Sequence, residues 1–323
     1  MKYQNDIDKM NTNRNLFLMS LPIFVELLLQ LLVGNVDQMM VSRVSQPSVA
    51  AIVNANQIMN LVIIVLSMAS TAVTVILSQY LGAQDEKNAS RTCMVSIVLI
   101  GSVSLAATIL VFAGHTPLYR AIHVPEEVFD EASLYLLIVG AFILVQGLYL
   151  TFSAMIRAFA MVKEVMIISV IMNAMNIVGN AILINGWFGM PQLGAVGAAI
   201  STDISKLVGL ALMIGMFFKS RRVKMGMSYL RPFPVQILKN LCLLAIPTGV
   251  ERFSYNLSQM IILGIVNSFG TLVTVTKGYC TIFANIDYVY AMAIATATQI
   301  VLGYLIGARR LNDIQKRVNA TLK

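Results

Sequence analysis

Long apolar runs separated by short polar ones organise this chain. Eight runs, over 16–41, 51–81, 92–113, 129–156, 164–184, 193–218, 237–266 and 278–306, are each long enough as helices to cross about 30 Å of hydrocarbon at 1.5 Å per residue. None alternates apolar and polar residues with the period of two that a barrel strand requires, and lipid tolerates no open backbone. The pattern therefore predicts an all-α polytopic membrane protein with eight transmembrane helices.

Composition agrees. Of 323 residues, 58% are hydrophobic and 12% are charged, with a mean hydropathy of +0.78, where a soluble domain carries about 25% charge. The net charge of +8 would suit a nucleic-acid ligand, but the positions of the basic residues give it another meaning. With a cytoplasmic N-terminus, 18 of the 23 basic residues fall on the inner side: Lys2, Lys9 and Arg14, Lys87 and Arg91, Arg157 and Lys163, the cluster from Lys219 to Lys239, and the group from Arg309 to Lys323. Arg43 and Arg120 lie outside, and Lys206, Arg252 and Lys277 lie within or beside helices. The positive-inside rule then puts both termini in the cytoplasm of a multi-pass membrane protein, with the bilayer as a partner and no nucleic acid. Cys93, Cys242 and Cys280 have no paired spacing and read as packing residues. The polar start has no cleavable signal pattern.

The chain repeats itself. "NLFLMSLPIFVE" from Asn15 and "NLCLLAIPTGVE" from Asn240 share proline and glutamate at one offset, 247 − 22 = 225 for the prolines and 251 − 26 = 225 for the glutamates. Gly82 and Ala83 meet Gly307 and Ala308 at the same offset. Six spans separate the two starts, an even number, so the copies run parallel about an axis along the membrane normal. The expected organisation is a six-helix lobe over 1–218, a basic cytoplasmic linker over 219–236, and the first two helices of a second lobe with a basic tail over 237–323. A full second copy would have four more helices.

Polar groups inside the spans mark the candidate chemistry. "LLVGNVDQMMVSR", residues 31–43, holds Asp37 in an apolar run, and a lone charge at a helix centre in lipid costs at least about 2.5–3.5 kcal/mol. Glu26 lies eleven residues before it, about three turns, and Gln30 lies between them, so the first span carries a polar seam. Asn173, Asn176 and Asn180 share one face of the fifth span, either as a site or as interhelical glue. Asp203 and Lys206, three apart on the sixth span, are placed to pair with each other. Glu26 and Glu251 are expected in equivalent structural places. Tyr149, Phe152, Phe159 and the many methionines are candidates for a compliant cavity, with packing as the plainer reading. No nucleophile–base arrangement, phosphate loop or dinucleotide fingerprint is found, so neither an enzyme nor ATP coupling is expected.

"LPIFVELLLQLLVGNVDQMMVSR", "SQYLGAQD", "VPEEVFDEASLYLLI", "IRAFA", "NIVGNAILING", "GAVGAAIST" and "IPTGVERFSYNL", in this order and spacing, resemble bacterial multidrug and toxic compound extrusion (MATE) transporters from about Arg14 to Arg310. The resemblance implies two lobes of six helices around a central cavity, and antiport of small cationic amphipathic compounds for protons or sodium ions, with no other cofactor or metal. It places ion coupling on Asp37, Asn176 and Asn180. Sodium-coupled members tend to have an acid at the position of Asn180, so the amide favours protons. Ala160, where an R-x-x-G turn is usual, and Asp203, where an apolar residue is usual, depart from the pattern. Two other readings stand beside this one: a flippase for lipid-linked saccharides, which would want a cavity rich in arginine with Arg252 foremost, and a membrane remnant that transports nothing without a partner.

Overall fold

The computed structural model describes residues 7–42, 46–121, 124–267, 269 and 271–322; Lys2, Arg43, His123 and Lys323 lie outside the described residues. From Asn13 onward ten α-helices follow one another, and there is no strand among the described residues: α1 Asn13–Ser42, α2 Gln46–Gly82, α3 Glu86–Ala121, α4 Glu126–Ala141, α5 Ile143–Ala158, α6 Val162–Leu183, α7 Gly194–Ser220, α8 Val235–Asn267, α9 Thr271–Gly307 and α10 Leu311–Leu322. Helices α1, α2, α3, α6, α7 and α9 contain stretches long and apolar enough to cross a membrane. The expected fourth span is the pair α4 and α5, bent by 44°. The bend falls at Phe142, whose N–H turns to the Val139 carbonyl three residues back, tightening the last turn of α4. The seventh expected span is the 33-residue α8, which carries Lys239, Glu251 and Arg252.

The repeat is visible in three dimensions. Helices α2 and α9 are both 37 residues long, and each end of one lies 225 residues from the matching end of the other. Both end in a left-handed residue, Gln84 at φ 56° and Arg309 at φ 57°. The closing bonds match as well: Asp85 N–H to the Tyr80 carbonyl, and Arg310 N–H to the Leu305 carbonyl, both at 2.9 Å. The two helices cross where these ends meet. A Cβ on Gly82 would come within 2.7 Å of the Tyr304 Cα, and one on Gly307 would run into the Gln79 carbonyl and the Ala83 amide. Gly303 meets the Ser78 hydroxyl. Residues 79 and 304 are repeat mates, as are 82 and 307, and 78 and 303, so the crossing is reciprocal about a pseudo-twofold axis.

Helix α2 is the hub, packed against α3, α4, α5, α8 and α9. Its Val73, Ile76 and Leu77 join Ile100, Leu136, Ile143, Met155 and Ile156 in the main core. Phe152 and Phe159 pack around Phe217 with ring centroids 5.3 and 5.6 Å away, so these rings and the buried Met155 serve packing. A second cluster seats Ile7, Leu16 and Ile23 against Ala293, Ala297, Ile300, Val301 and Leu305 of α9. Around it Arg310 bonds Asp8 at 2.5 Å and Asp313 at 2.6 Å. The hydrogen bond to Asp8 holds Arg310 above the ordinary arginine range. Buried Arg317 donates to the Asn11 carbonyl at 2.9 Å and to the Asn13 side chain.

Candidate functional site

Glycines set the approach of α6 to α7. A Cβ on Gly197 would come within 2.6 Å of the Leu183 carbonyl, and one on Gly179 would strike the Ser201 hydroxyl. With the backbones this close, Ser201 Oγ donates to the Asn176 carbonyl at 2.9 Å and Asn176 Nδ2 donates to Thr202 Oγ1 at 3.1 Å. One turn along α6, Asn180 Nδ2 is shared between Asn176 Oδ1 at 3.4 Å and Asp37 Oδ1 of α1 at 2.5 Å. A continuous polar string thus joins α1, α6 and α7: Asp37, Asn180, Asn176, Thr202. Asn176 and Asn180 are buried, so each bond in the string forms away from bulk water, where an unmade one is costly.

The string borders a cavity of about 120 Å³ lined by Asp37, Asn56, Met59, Tyr135, Thr202 and Lys206 with Ile52, Ile63, Val139 and Ala198. Walls of this kind, apolar with a few convergent polar groups, are typical of small-ligand sites. Asn56, Tyr135 and Thr202 were not singled out from the sequence. Thr202 had a signal, sitting beside Asp203 in "AISTD", whereas Tyr135 in "SLYLL" looks like any interfacial aromatic.

Other sequence candidates go elsewhere. The seam on α1 divides between two neighbours: Glu26, 1% exposed, pairs with Arg157 of α5 at 2.5 Å and accepts from Gln30 at 3.4 Å, while Asp37 turns to α6. Eleven residues of helix put these two contacts about 16 Å apart. Arg157, expected at a cytoplasmic edge, is thus the counter-ion of a buried acid. Asn173 is buried with its Nδ2 unbonded and does not join the string. Asp203 and Lys206 do not pair. Neither Asp203 oxygen has a hydrogen-bond partner, although the carboxylate is buried, and Lys206 lines the cavity. Glu251 is exposed on α8 and makes no hydrogen bond or ion pair among the described residues.

A family model, MatE, matches this chain over residues 22–182 and 247–323, which takes in the polar residues of α1 and α6 and both arms of the repeat. The chain belongs to the MatE family. Its MatE relatives include the uncharacterized transporter YisQ of Bacillus subtilis, 35% identical across 95% of this chain and 68% of that protein. A probable multidrug resistance protein NorM of Chromobacterium violaceum is 28% identical across 90% of this chain and 63% of that protein. The NorM of Thermotoga maritima is matched over 52% of its length, so this chain spans between about half and two thirds of these curated relatives. Among solved structures, a crystal structure of a MATE protein in a bent conformation superposes with a TM-score of 0.87 at 20% identity, covering 98% of this chain and 70% of that one. An aspartate-to-asparagine variant of the Vibrio cholerae MATE transporter VcmN superposes with a TM-score of 0.88 at 20% identity, covering 99% and 70%. These likenesses establish a MATE fold, one six-helix bundle followed by the parallel repeat of its first two helices.

Proposed function

We propose that this MatE protein carries the cation site of a secondary multidrug antiporter in a bacterial inner membrane, and that Asp37 is where an exported organic cation and a proton exclude one another. The observation that carries this is the Asp37–Asn180 contact at the wall of a cavity in which Asp37 is the one carboxylate among the described lining residues. A carboxylate held by one amide keeps its second oxygen available, and away from water its attraction to a monovalent cation is strong. A proton on the same carboxylate removes the counter-charge and releases the cation. Asn180 and Asn176 orient the acid through the string to Thr202. An amide at 180 adds no second charge beside Asp37, which favours protons over sodium as the coupling ion. The names of the NorM relatives support the multidrug assignment.

Alternation fits the rest of the fold. With both termini cytoplasmic, Asp37 lies near the outer end of α1, and the α2–α9 crossing closes the inner side. The lobes 1–218 and 237–323, joined by the basic linker 219–236, would rock about that crossing. A saccharide flippase fits less well, since among the described residues no arginine lines the cavity and Arg252 is not part of it.

The test uses the purified 323-residue protein in lipid nanodiscs with tetraphenylphosphonium as probe. Binding should release close to one proton per cation into a weakly buffered medium, and Asp37→Asn should abolish both binding and release. Unchanged binding in Asp37→Asn would remove Asp37 from the site, while binding suppressed by sodium with no proton release would reassign the coupling ion.

A further inference from the structure

Two charged residues of α7 take no part in the string. Asp203 is 1% exposed, and neither of its oxygens finds a hydrogen-bond partner. Lys206, one turn later, lines the cavity beside Asp37, Asn56, Tyr135 and Thr202. Its charge acts on both Asp37 and Asp203, yet none of the ion pairs among the described residues includes it. The cavity region therefore holds two carboxylates and one ammonium on a flexible four-carbon stem. Among the described residues no other basic side chain lines the cavity.

We propose that Lys206 is a tethered internal cation, shared between Asp203 and Asp37, that sets how tightly Asp37 holds an external cation. The proposal rests on the reading of Asp37 as the cation site. A buried carboxylate without partners is costly, so Asp203 draws Lys206 toward itself and away from Asp37. When Asp37 is ionised and empty, the same ammonium serves it as a stand-in for substrate. An arriving organic cation must displace Lys206, which then falls back on Asp203. Two acids and one ammonium leave one net negative charge, so the occupied site is neutral with a single monovalent cation. Asp203 and Lys206 are positioning residues in this scheme: they act on the ligand through Asp37.

Two measurements test it. In nanodiscs, Lys206→Gln should tighten tetraphenylphosphonium binding about tenfold, because the competitor is gone, and Asp203→Asn should weaken it about tenfold, because the alternative partner is gone. In the double variant the Asp203→Asn effect should vanish. Weaker binding in Lys206→Gln, or an Asp203→Asn effect that persists without Lys206, would overturn the proposal. The second readout needs no ligand. Reductive methylation with 13C-formaldehyde gives Lys206 a dimethylamine NMR signal, assigned by its loss in Lys206→Gln. That signal should shift in both Asp37→Asn and Asp203→Asn; a shift in Asp203→Asn alone means a fixed bridge and overturns the proposal. If the wild-type protein does not bind the cation, the reading of Asp37 as a cation site fails, and the NMR signal alone decides whether Lys206 is shared.

Discussion

Arg157 and Ala160 stand three residues apart in "IRAFA" and differ sharply in what a substitution would do. Arg157 is the sole ion-pair partner of Glu26 among the described residues, and removing one member of a buried pair leaves the other charge uncompensated at a cost of about 3–5 kcal/mol. Arg157→Ala should therefore lower the unfolding midpoint in detergent markedly, and Glu26→Gln in the same background should recover part of the loss. Ala160 holds φ at 60° to end α5, a conformation that costs a residue with a Cβ about 1–2 kcal/mol. Ala160→Gly should raise the midpoint, and a fall would mean that the Ala160 methyl contributes packing worth more than the strain. The strain itself is unreadable from one sequence, where alanine in an apolar stretch looks unremarkable. It took the R-x-x-G resemblance to mark the position.

Among elements, the long apolar runs and the 225-residue offset were legible because both are written in the order of residues along the chain. Helix α2 and its mate α9 begin and end at that offset. Asn176 and Asn180 were legible as one face because helical spacing alone puts them there. What faced them was not: Thr202 reaches the cavity through the packing of α7 on α6, which depends on Gly179 and Gly197, and Tyr135 reaches it from α4. Glu251 shares the motif of Glu26 but is exposed, with no ion pair among the described residues. Close approach also governs the crossing. A Cβ at Gly82 meets Tyr304 backbone, which cannot rotate away, so Gly82→Ala and Gly307→Ala should each cost about 1–3 kcal/mol and weaken disulfide trapping between cysteines placed on α2 and α9. Gly101, in the interior of α3 with nothing near its Cβ position, is the control: Gly101→Ala should stabilise by about 0.5–1 kcal/mol.

At the scale of the molecule, α1 and α9 are tied together by the cluster around Ile7, Leu16 and Ile300 and by the arginines that ring it. Arg317 is buried and donates to Asn11 and Asn13, and burial pushes it below the usual arginine range. Arg317→Ala should therefore speed hydrogen exchange in residues 7–16 and 311–322 together, leaving the α6–α7 pair protected; an effect confined to one segment would show that they are held separately. The tie from Arg310 to Asp8 joins residues 302 positions apart. A ribosome adding about 5–20 residues per second needs roughly 15–60 s to cover that distance. For that interval Ile7 and Leu16 lack their partners on α9, and of the buried cluster only Ile23 and Val162 can be made before it.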